Sequence, residues 1–319
     1  MSNVQTVNNT SILSAETVRK IPIPENSLRR AWRTYSPVTA LLAAVLLWGG
    51  SFAAMRVTIQ AISPAGVMWL RMAIAFVVLL PAAGKLWPRD YRRGDWKKLL
   101  PLVLLQPCLY FLLESHALQL TTSSQAGVVS ASVPLLVTVG AWLYLKEAVT
   151  SRIVTGLVMA MTGMIGLTWM QSPGVPAENP LLGNLLEVVA MACAAANMLL
   201  VKEMSRRYNP WTLTALQVVA GVVFFLPGAP AVWHLPAGAW NSSLVPALLF
   251  LGILVTLGAF GLYNWGMSRM PASRASLFIY LVPVCAVLIG WTTLGEALSV
   301  YQCVSAALVI AGVWWSQRR

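Results

Sequence analysis

Residues 133–148 read VPLLVTVGAWLYLKEA, and residues 282–297 read VPVCAVLIGWTTLGEA. The second stretch repeats the first at an offset of 149 positions (282 minus 133), with Val, Pro, Trp, Leu, Glu and Ala at matching places. The same offset pairs Gly163 with Gly312. Earlier in the chain the offset is 146, and the matching pairs are Pro64 with Pro210, Leu70 with Leu216, and Pro81 with Pro227. The chain is therefore an internal duplication.

The composition is that of a membrane protein. Of the 319 residues, 58% are hydrophobic and 10% are charged, and the mean hydropathy is +0.70, whereas about a quarter of the residues of soluble domains are charged. The net charge of +12 lies almost entirely in the termini and in loops beside apolar segments, so membrane topology explains it and nucleic-acid binding is not expected. The four cysteines lie in apolar segments without metal-ligand spacing, so no metal or cofactor is expected either.

Ten segments are long and apolar enough to cross a hydrocarbon core, which takes about 20 residues. They cover roughly 38–62, 65–84, 99–120, 125–144, 152–171, 181–203, 211–232, 244–267, 275–294 and 299–316. Basic residues are concentrated in the two termini and in every second connection, which places both termini in the cytoplasm. The sequence predicts an all-α integral membrane protein of ten transmembrane helices, preceded by a disordered cytoplasmic tail at residues 1–36.

The duplicated units are predicted at residues 37–171 and 181–316, with five spans each. Because five is odd, the second unit must insert upside down relative to the first. Inverted repeats are typical of secondary transporters, in which the two halves exchange conformations around a shared site near the bilayer midplane. Duplication also stabilises passive channels and scaffolds, and this alternative stays open.

Several short motifs resemble those of EamA-type transporters of the drug/metabolite transporter superfamily. They are Trp48-Gly49-Gly50-Ser51-Phe52, Leu70-Arg71, Ala117-Leu118, Val133-Pro134 with Lys146-Glu147, and Leu281-Val282-Pro283 with Leu294-Gly295-Glu296-Ala297. The resemblance covers about residues 38–316. It implies a ten-helix inner-membrane carrier whose spans 1–4 and 6–9 line a central cavity and which exports amino acids and other small metabolites. The identity of the solute stays open.

Five ionisable residues fall inside predicted spans, namely Arg56, Arg71, Glu114, His116 and Glu187. Such residues cost about 2.5–3.5 kcal/mol each near a helix centre, so they should face one another or water. Except for His116, they lie at a similar distance from the outer helix ends, so opposite charges share one layer. Arg71 is predicted to bind substrate or to gate, or else to form a structural pair with a carboxylate. Arg56 is expected to reach the outer interface along its aliphatic stem.

Span 3 presents an acidic and aromatic face. Tyr110 lies one helical turn before Glu114, which suits a substrate ammonium group or a coupling proton. His116 lies about 200° around the helix from Glu114 and is expected to contact another helix. Glu187 in span 6 is the second candidate for substrate or proton binding, and hydrogen bonding between helices is its alternative role.

Further candidates occupy equivalent positions of the two units. Ser51 and Asn197 are 146 positions apart and are predicted either to line the binding site or to bond neighbouring helices. Trp48 is predicted to contact substrate, with helix packing as the alternative. Pro134 and Pro283 lie inside spans, where each frees a backbone carbonyl and bends the helix. They are predicted hinges.

Glu147 and Glu296 are the second-last residues of the two copies of the opening motif. Each lies where a helix ends close to the following span. A carboxylate there can accept hydrogen bonds from free backbone N–H groups. Both glutamates are therefore predicted to be structural.

These patterns favour a secondary active transporter that exports small metabolites, amino acids or related amphoteric compounds, by alternating access, with a proton as the candidate coupling ion. The expected partners are a small-molecule substrate and the lipid bilayer, and the protein is expected to be a monomer or homodimer. The alternative is a carrier or exchanger of phosphorylated or nucleotide-linked solutes. A membrane-embedded enzyme is a further rival, but the chain lacks HExxH, GxSxG and phosphate-loop motifs, so it is predicted not to be an enzyme.

Overall fold

The computed structural model describes residues 27–121, 123–169, 178–294 and 299–318. The chain divides into residues 1–35 and residues 36–319. In the first unit residues 27–35 are helical, and the remainder of the predicted tail lies outside the described residues. The described part of the second unit, residues 36–319, contains helices and no strand.

A helix, continuous or broken, occupies each of the ten apolar segments. The bounds are α1 Ser27–Ile59, α2 Pro64–Leu79, α3 Trp96–Val103 with Leu104–Leu109 and Tyr110–Leu120, α4 Ser123–Ser130 with Val133–Leu143, α5 Ser151–Trp169, α6 Pro180–Met204, α7 Pro210–Phe224, α8 Leu244–Leu249 with Phe250–Ala259 and Phe260–Arg269, α9 Ala272–Ser276 with Leu277–Tyr280 and Leu281–Leu294, and α10 Val300–Gln317. Short helical turns follow α2 and α7, at Leu80–Ala82, Ala83–Leu86, Leu226–Gly228, Pro230–Trp233 and Ala237–Ala239.

Seven of these helices are long and apolar enough to cross a membrane, and an eighth is added if α7 and the bent turn after it count as one span. The seven correspond to α1, α2, α3, α4, α6, α8 and α9. The apolar part of α5, Ser151–Leu167, is shorter. The described structure therefore confirms an all-helical protein with several membrane spans.

The helices α4 and α9 depart from regular α-helical geometry just ahead of a proline. In α4 the helix ends at Ser130 and restarts at Val133, next to Pro134, because proline has no N–H for the previous turn and its ring crowds that turn's carbonyl. In α9 a tighter turn, Leu277–Tyr280, precedes Pro283. The buried Tyr280 hydroxyl donates to the Ala131 carbonyl at 2.7 Å, and these two residues are also 149 positions apart. The two breaks thus meet through equivalent positions of the duplication.

The turn between α8 and α9 is held from both sides by charged residues of other helices. Glu147, just beyond α4, accepts hydrogen bonds from the Ala272 and Ser273 N–H groups at 2.8 and 3.2 Å. The Lys202 ammonium group of α6 donates to the Met270 carbonyl at 2.6 Å, opposite the freed N–H groups. Glu147 therefore caps a helix, as predicted, but the helix is α9 and not the adjacent α5. Glu296 lies outside the described residues.

Replacing Glu147 with alanine should lower the free energy of unfolding by about 1–2 kcal/mol, since loss of a helix cap costs this much and the Ser273 hydroxyl loses its acceptor too. Thermal unfolding of the detergent-purified protein measures the change. Glu178→Ala is the control, because Glu178 is exposed at the start of α6. Equal melting temperatures for the two variants would contradict the capping role.

A second tie joins the loop before α3 to the loop between α6 and α7. The Tyr208 hydroxyl donates to Asp95 Oδ2 at 2.6 Å, and Arg207 pairs with the same oxygen. The hydrogen bond from Tyr208, with further help from the Arg92 N–H, lowers the pKa of Asp95 to about 2. The carboxylate is therefore charged and the tie intact at neutral pH, and its stabilising contribution is lost only as the pH falls toward 2.

Candidate functional site

The predicted acidic face of α3 forms as a hydrogen-bonded pair. Tyr110 donates its hydroxyl proton to Glu114 Oε1 at 2.6 Å, one helical turn away, and both side chains are half-buried. The Tyr110–Leu120 part of α3 packs along α6, which carries Glu187. The charges of Glu114 and Glu187 are close enough to interact. The structure therefore brings together the three residues that the sequence predicted for substrate or proton binding.

Glu187 carries an unused acceptor in this group. Its side chain is 2% exposed, and Oε2 has no hydrogen-bond partner among the described residues. A buried polar atom without a partner costs about 1–3 kcal/mol, and more when it is charged. Such an atom needs a proton or a bound donor to be stable. Glu187 is therefore the point at which the site is chemically incomplete.

Arg71 supplies the opposite charge from α2. It is 4% exposed, and it lies near enough to Glu114 for their charges to attract each other. Within the described ranges, however, no carboxylate lies within 4 Å of its guanidinium nitrogens. Instead, Nε donates to Thr256 Oγ1 at 2.7 Å, and Cζ lies 5.6 Å from the centre of the Phe111 ring. The structural alternative, a direct ion pair between Arg71 and a carboxylate, is therefore absent among the described residues.

A series of aromatic rings lies next to Arg71. Trp48 of α1 lies 5.3 Å from the Phe260 ring and 5.0 Å from the Tyr263 ring, measured between centroids. Phe260 in turn faces Phe111, the ring beneath Arg71, at 6.5 Å. The predicted residue Trp48 thus belongs to an aromatic wall that continues from Arg71. The other rings of the wall come from α3 and α8.

A buried cluster of amide side chains lies where α3 breaks. Gln106 has extended backbone angles (φ −146°, ψ 125°), and Pro107 after it has no N–H. The carbonyl groups freed by the break accept hydrogen bonds from other helices: Asn197 donates to the Leu102 carbonyl at 2.6 Å, and Gln217 donates to the Gln106 carbonyl at 3.0 Å. Asn197 thus bonds neighbouring helices, one of its two predicted roles.

The side chains of the amide cluster are hydrogen-bonded to one another. The Asn264 amide donates to Gln217 Oε1 at 3.0 Å and to Thr214 Oγ1 at 2.9 Å, while Gln217 also donates to Asn197 Oδ1 at 3.3 Å. Four helices, α3, α6, α7 and α8, are therefore joined by one polar network. Hydrogen bonds between buried side chains of different helices restrict how those helices can pack. Glu187 Oε2 differs from these amide groups because it has no hydrogen-bond partner among the described residues.

A cavity of about 10 Å³ lies between Arg71 and the amide cluster, which is room for about one water molecule. Its lining residues are Met72, Pro107, Thr214, Gln217, Val218, Thr256 and Phe260. Of these residues, Thr256 is hydrogen-bonded to Arg71, and Gln217 belongs to the amide cluster. The cavity is too small for any molecule larger than water.

The sequence interpretation did not single out Thr256, Gln217 or Gln106 as site residues. A signal was present for the last two, because a proline that follows glutamine inside an apolar span frees carbonyl groups that need donors. Gln217 is a polar residue in another apolar span and could supply them. No comparable signal existed for Thr256, since threonine commonly bonds to its own helix backbone.

The remaining predicted residues have local contacts. Ser51 donates to the Trp48 carbonyl of its own helix at 2.7 Å. His116 is exposed, and its Nδ1 lies 2.8 Å from the Leu112 carbonyl, also within its helix. The side chain of Arg56 lies outside the described residues.

The described residues form an all-helical, multi-pass membrane bundle with ionisable and aromatic side chains gathered between its helices, an arrangement typical of membrane transporters. The EamA-like transporter family model matches residues 36–169 and again residues 181–317. The chain belongs to the EamA-like transporter family. Its members sit in lipid and carry small molecules.

Related proteins agree with this assignment. The chain is 28% identical over 287 residues to the uncharacterized transporter YcxC of Bacillus subtilis, covering 86% of this chain and 91% of that protein. It is also 28% identical over 290 residues to a protein of Streptantibioticus cattleyicolor named a probable terminal-alkyne amino-acid exporter, covering 88% and 93%. A solved crystal structure matches the fold with a TM-score of 0.73 and 20% identity, over 88% of this chain and 96% of that one.

Proposed function

We propose that this protein is a secondary active carrier that exports small amphoteric metabolites, amino acids foremost, across the inner membrane. The observation that carries the proposal is the grouping of one buried cation, Arg71, with two carboxylates, Glu114 and Glu187, on three helices. A guanidinium group can bind a carboxylate, while a glutamate can bind an ammonium group or a proton. Both ends of an amino acid thus have a partner.

The proposed topology has ten spans in two inverted units, residues 37–171 and 181–316, with both termini in the cytoplasm. The alternation of basic and neutral connections supports this orientation. The paired breaks near Pro134 and Pro283, joined through Tyr280 and Ala131, support a role as hinges between alternating conformations. Ser51 and Trp48 of α1 are proposed to line the path.

The solute class is supported by the charge balance and by one relative. The Streptantibioticus cattleyicolor protein is named as an amino-acid exporter. Phosphorylated solutes would need several converging cations, whereas here a single described arginine is accompanied by two glutamates. Flux of L-leucine, L-phenylalanine or L-lysine in proteoliposomes tests the proposal. Transport of sugar phosphates without amino-acid flux would overturn it.

We further propose that protons drive export through Glu114 and Glu187. With glutamine at either position, the stimulation of amino-acid flux by an imposed pH gradient should disappear, because glutamine has the size of glutamate but cannot take up and release a proton. The initial rate with and without the gradient measures this effect. Glu178→Gln, an exposed carboxylate changed in the same way, should respond like the wild type.

The two carboxylates can be distinguished by exchange at equal pH, which needs substrate binding but no net proton movement. A Glu187→Gln protein that exchanges amino acid but ignores the gradient would assign proton coupling to Glu187. If this variant also lost exchange, substrate binding would be assigned to Glu187. Wild-type stimulation in both glutamine variants, with correct folding shown by gel filtration, would refute proton coupling through this pair.

A further inference from the structure

We infer that Thr256 is a positioning residue for substrate binding: it orients the Arg71 guanidinium so that its terminal edge remains open for the anionic group of the solute. This inference rests on the proposed function of Arg71. It concerns a residue on α8, 185 positions away from Arg71 in sequence. The two residues come from opposite halves of the chain, so the contact forms only in the folded bundle.

The hydrogen-bond directions at Thr256 are fully determined. Its side chain is 2% exposed and lies in the wide helical turn Phe250–Ala259. The hydroxyl proton is donated to the Leu251 carbonyl at 2.8 Å, five residues earlier. Because a hydroxyl has one proton, the oxygen faces Arg71 Nε with a lone pair, at 2.7 Å. The β-branched side chain has few rotamers, which keeps this geometry stiff.

The hydrogen bond from Nε determines which edge of the guanidinium group is available to bind a carboxylate. An arginine can grip a carboxylate side-on, through Nε and one terminal nitrogen, or end-on, through both terminal nitrogens. Thr256 occupies Nε and so removes the side-on mode. Nη1 has only a long contact to Met68 Sδ at 4.0 Å, and among the described residues no oxygen acceptor is bonded to either terminal nitrogen. The end-on edge is therefore free.

Two neighbours complete the arrangement. Phe111 lies against the guanidinium group at 5.6 Å and restricts its tilt. Glu114 is near enough to interact with the charge but does not pair with it, so the cation is not neutralised by contact. A solute carboxylate can then bind end-on to Arg71 without displacing an existing ion pair.

The test uses Thr256→Val, which keeps the shape and removes both hydrogen bonds, and Thr256→Ser, which keeps the hydroxyl. L-leucine, L-phenylalanine and L-lysine are the probes, and the amide of each, which lacks the carboxylate, is the competitor. For the transported acids, we expect Thr256→Val to raise KM roughly tenfold, the scale of one hydrogen bond to a charged group. The maximal rate and the inhibition constant of the amides should change less than about twofold. Thr256→Ser should restore the wild-type KM.

The control is Thr58→Val, because Thr58 is equally buried but donates only to the Met55 carbonyl of its own helix. It should leave KM unchanged. A normal KM in Thr256→Val overturns the positioning role, as does an equal loss in the serine variant, which keeps both bonds. A KM increase shared equally by acids and amides also overturns it. If the wild type transports none of the three amino acids, the proposed function fails first, which separates the two conclusions.

Discussion

Replacing Arg71 with alanine should reduce the initial rate of amino-acid transport by on the order of a hundredfold, since losing one member of a buried charge-recognition pair costs about 2–5 kcal/mol. Arg71 is almost fully buried, so no other cation can take its place from solvent. Its removal takes the positive charge away from the neighbourhood of Glu114. Solute carboxylates would then be repelled instead of bound.

Lysine at position 71 should restore only part of the activity. A lysine ammonium group keeps the charge, but it lacks the planar fork and cannot donate to Thr256 while offering two parallel N–H groups to a carboxylate. We expect the initial transport rate of Arg71→Lys to be roughly tenfold below that of the wild type. Most of this loss should come from a higher KM and less from a lower maximal rate.

The control for both substitutions is Arg269→Ala. Arg269 is an exposed arginine at the end of α8 that stacks on Trp265, with its Cζ 4.9 Å from the ring centre. The substitution removes one positive charge without changing the site. The transport rate of this variant should match that of the wild type. Proteoliposomes with equal amounts of monodisperse protein give the comparison. Wild-type transport by Arg71→Ala would exclude Arg71 from solute recognition.

Leucine in place of Gly156 should destabilise the bundle by about 3 kcal/mol or more, at the upper end of the cost of overpacking. Gly156 lies on α5 where it meets α10. A Cβ atom there would come within 2.6 Å of the Gly312 carbonyl oxygen and 2.8 Å of Ser316 Cβ. Backbone atoms cannot rotate away as a side chain can, so the two helices would have to separate.

The contact between α5 and α10 contains other small residues, which is why Gly156→Leu should be strongly destabilising. A Cβ at Gly163 would come within 2.7 Å of the Ser305 carbonyl, so α5 and α10 approach closely at more than one level. Small residues allow this close approach in membranes, where van der Waals packing and not the hydrophobic effect holds helices together. One leucine side chain would disrupt the whole seam.

Gly84→Leu provides the matched control, because a Cβ at Gly84 would meet nothing within 4 Å. The yield of monodisperse protein and its melting temperature should fall for Gly156→Leu and stay near the wild-type values for Gly84→Leu. If both variants behave alike, the α5–α10 contact does not limit stability.

Local signals in the sequence were sufficient for the helices and for some of the site. Length and hydropathy located the helices, and the prolines at 134 and 283 marked the breaks in α4 and α9, because a missing N–H acts on its own turn. The spacing of Tyr110 and Glu114 predicted that they share a helix face, since they are four residues apart, and in the structure they are hydrogen-bonded. Each of these features depends on residues close together in the chain.

Contacts between distant parts of the chain were decided by the tertiary structure. Among the described residues, the partner of Arg71 is Thr256 and not a carboxylate. Glu147 caps α9 and not α5, and Asn197 bonds the carbonyl freed at the break in α3. Hydropathy and periodicity indicate that a helix forms and which face is polar, but not which helices become neighbours. That choice depends on close packing through small residues and on the need of every buried polar group for a partner, and both are properties of the assembled bundle.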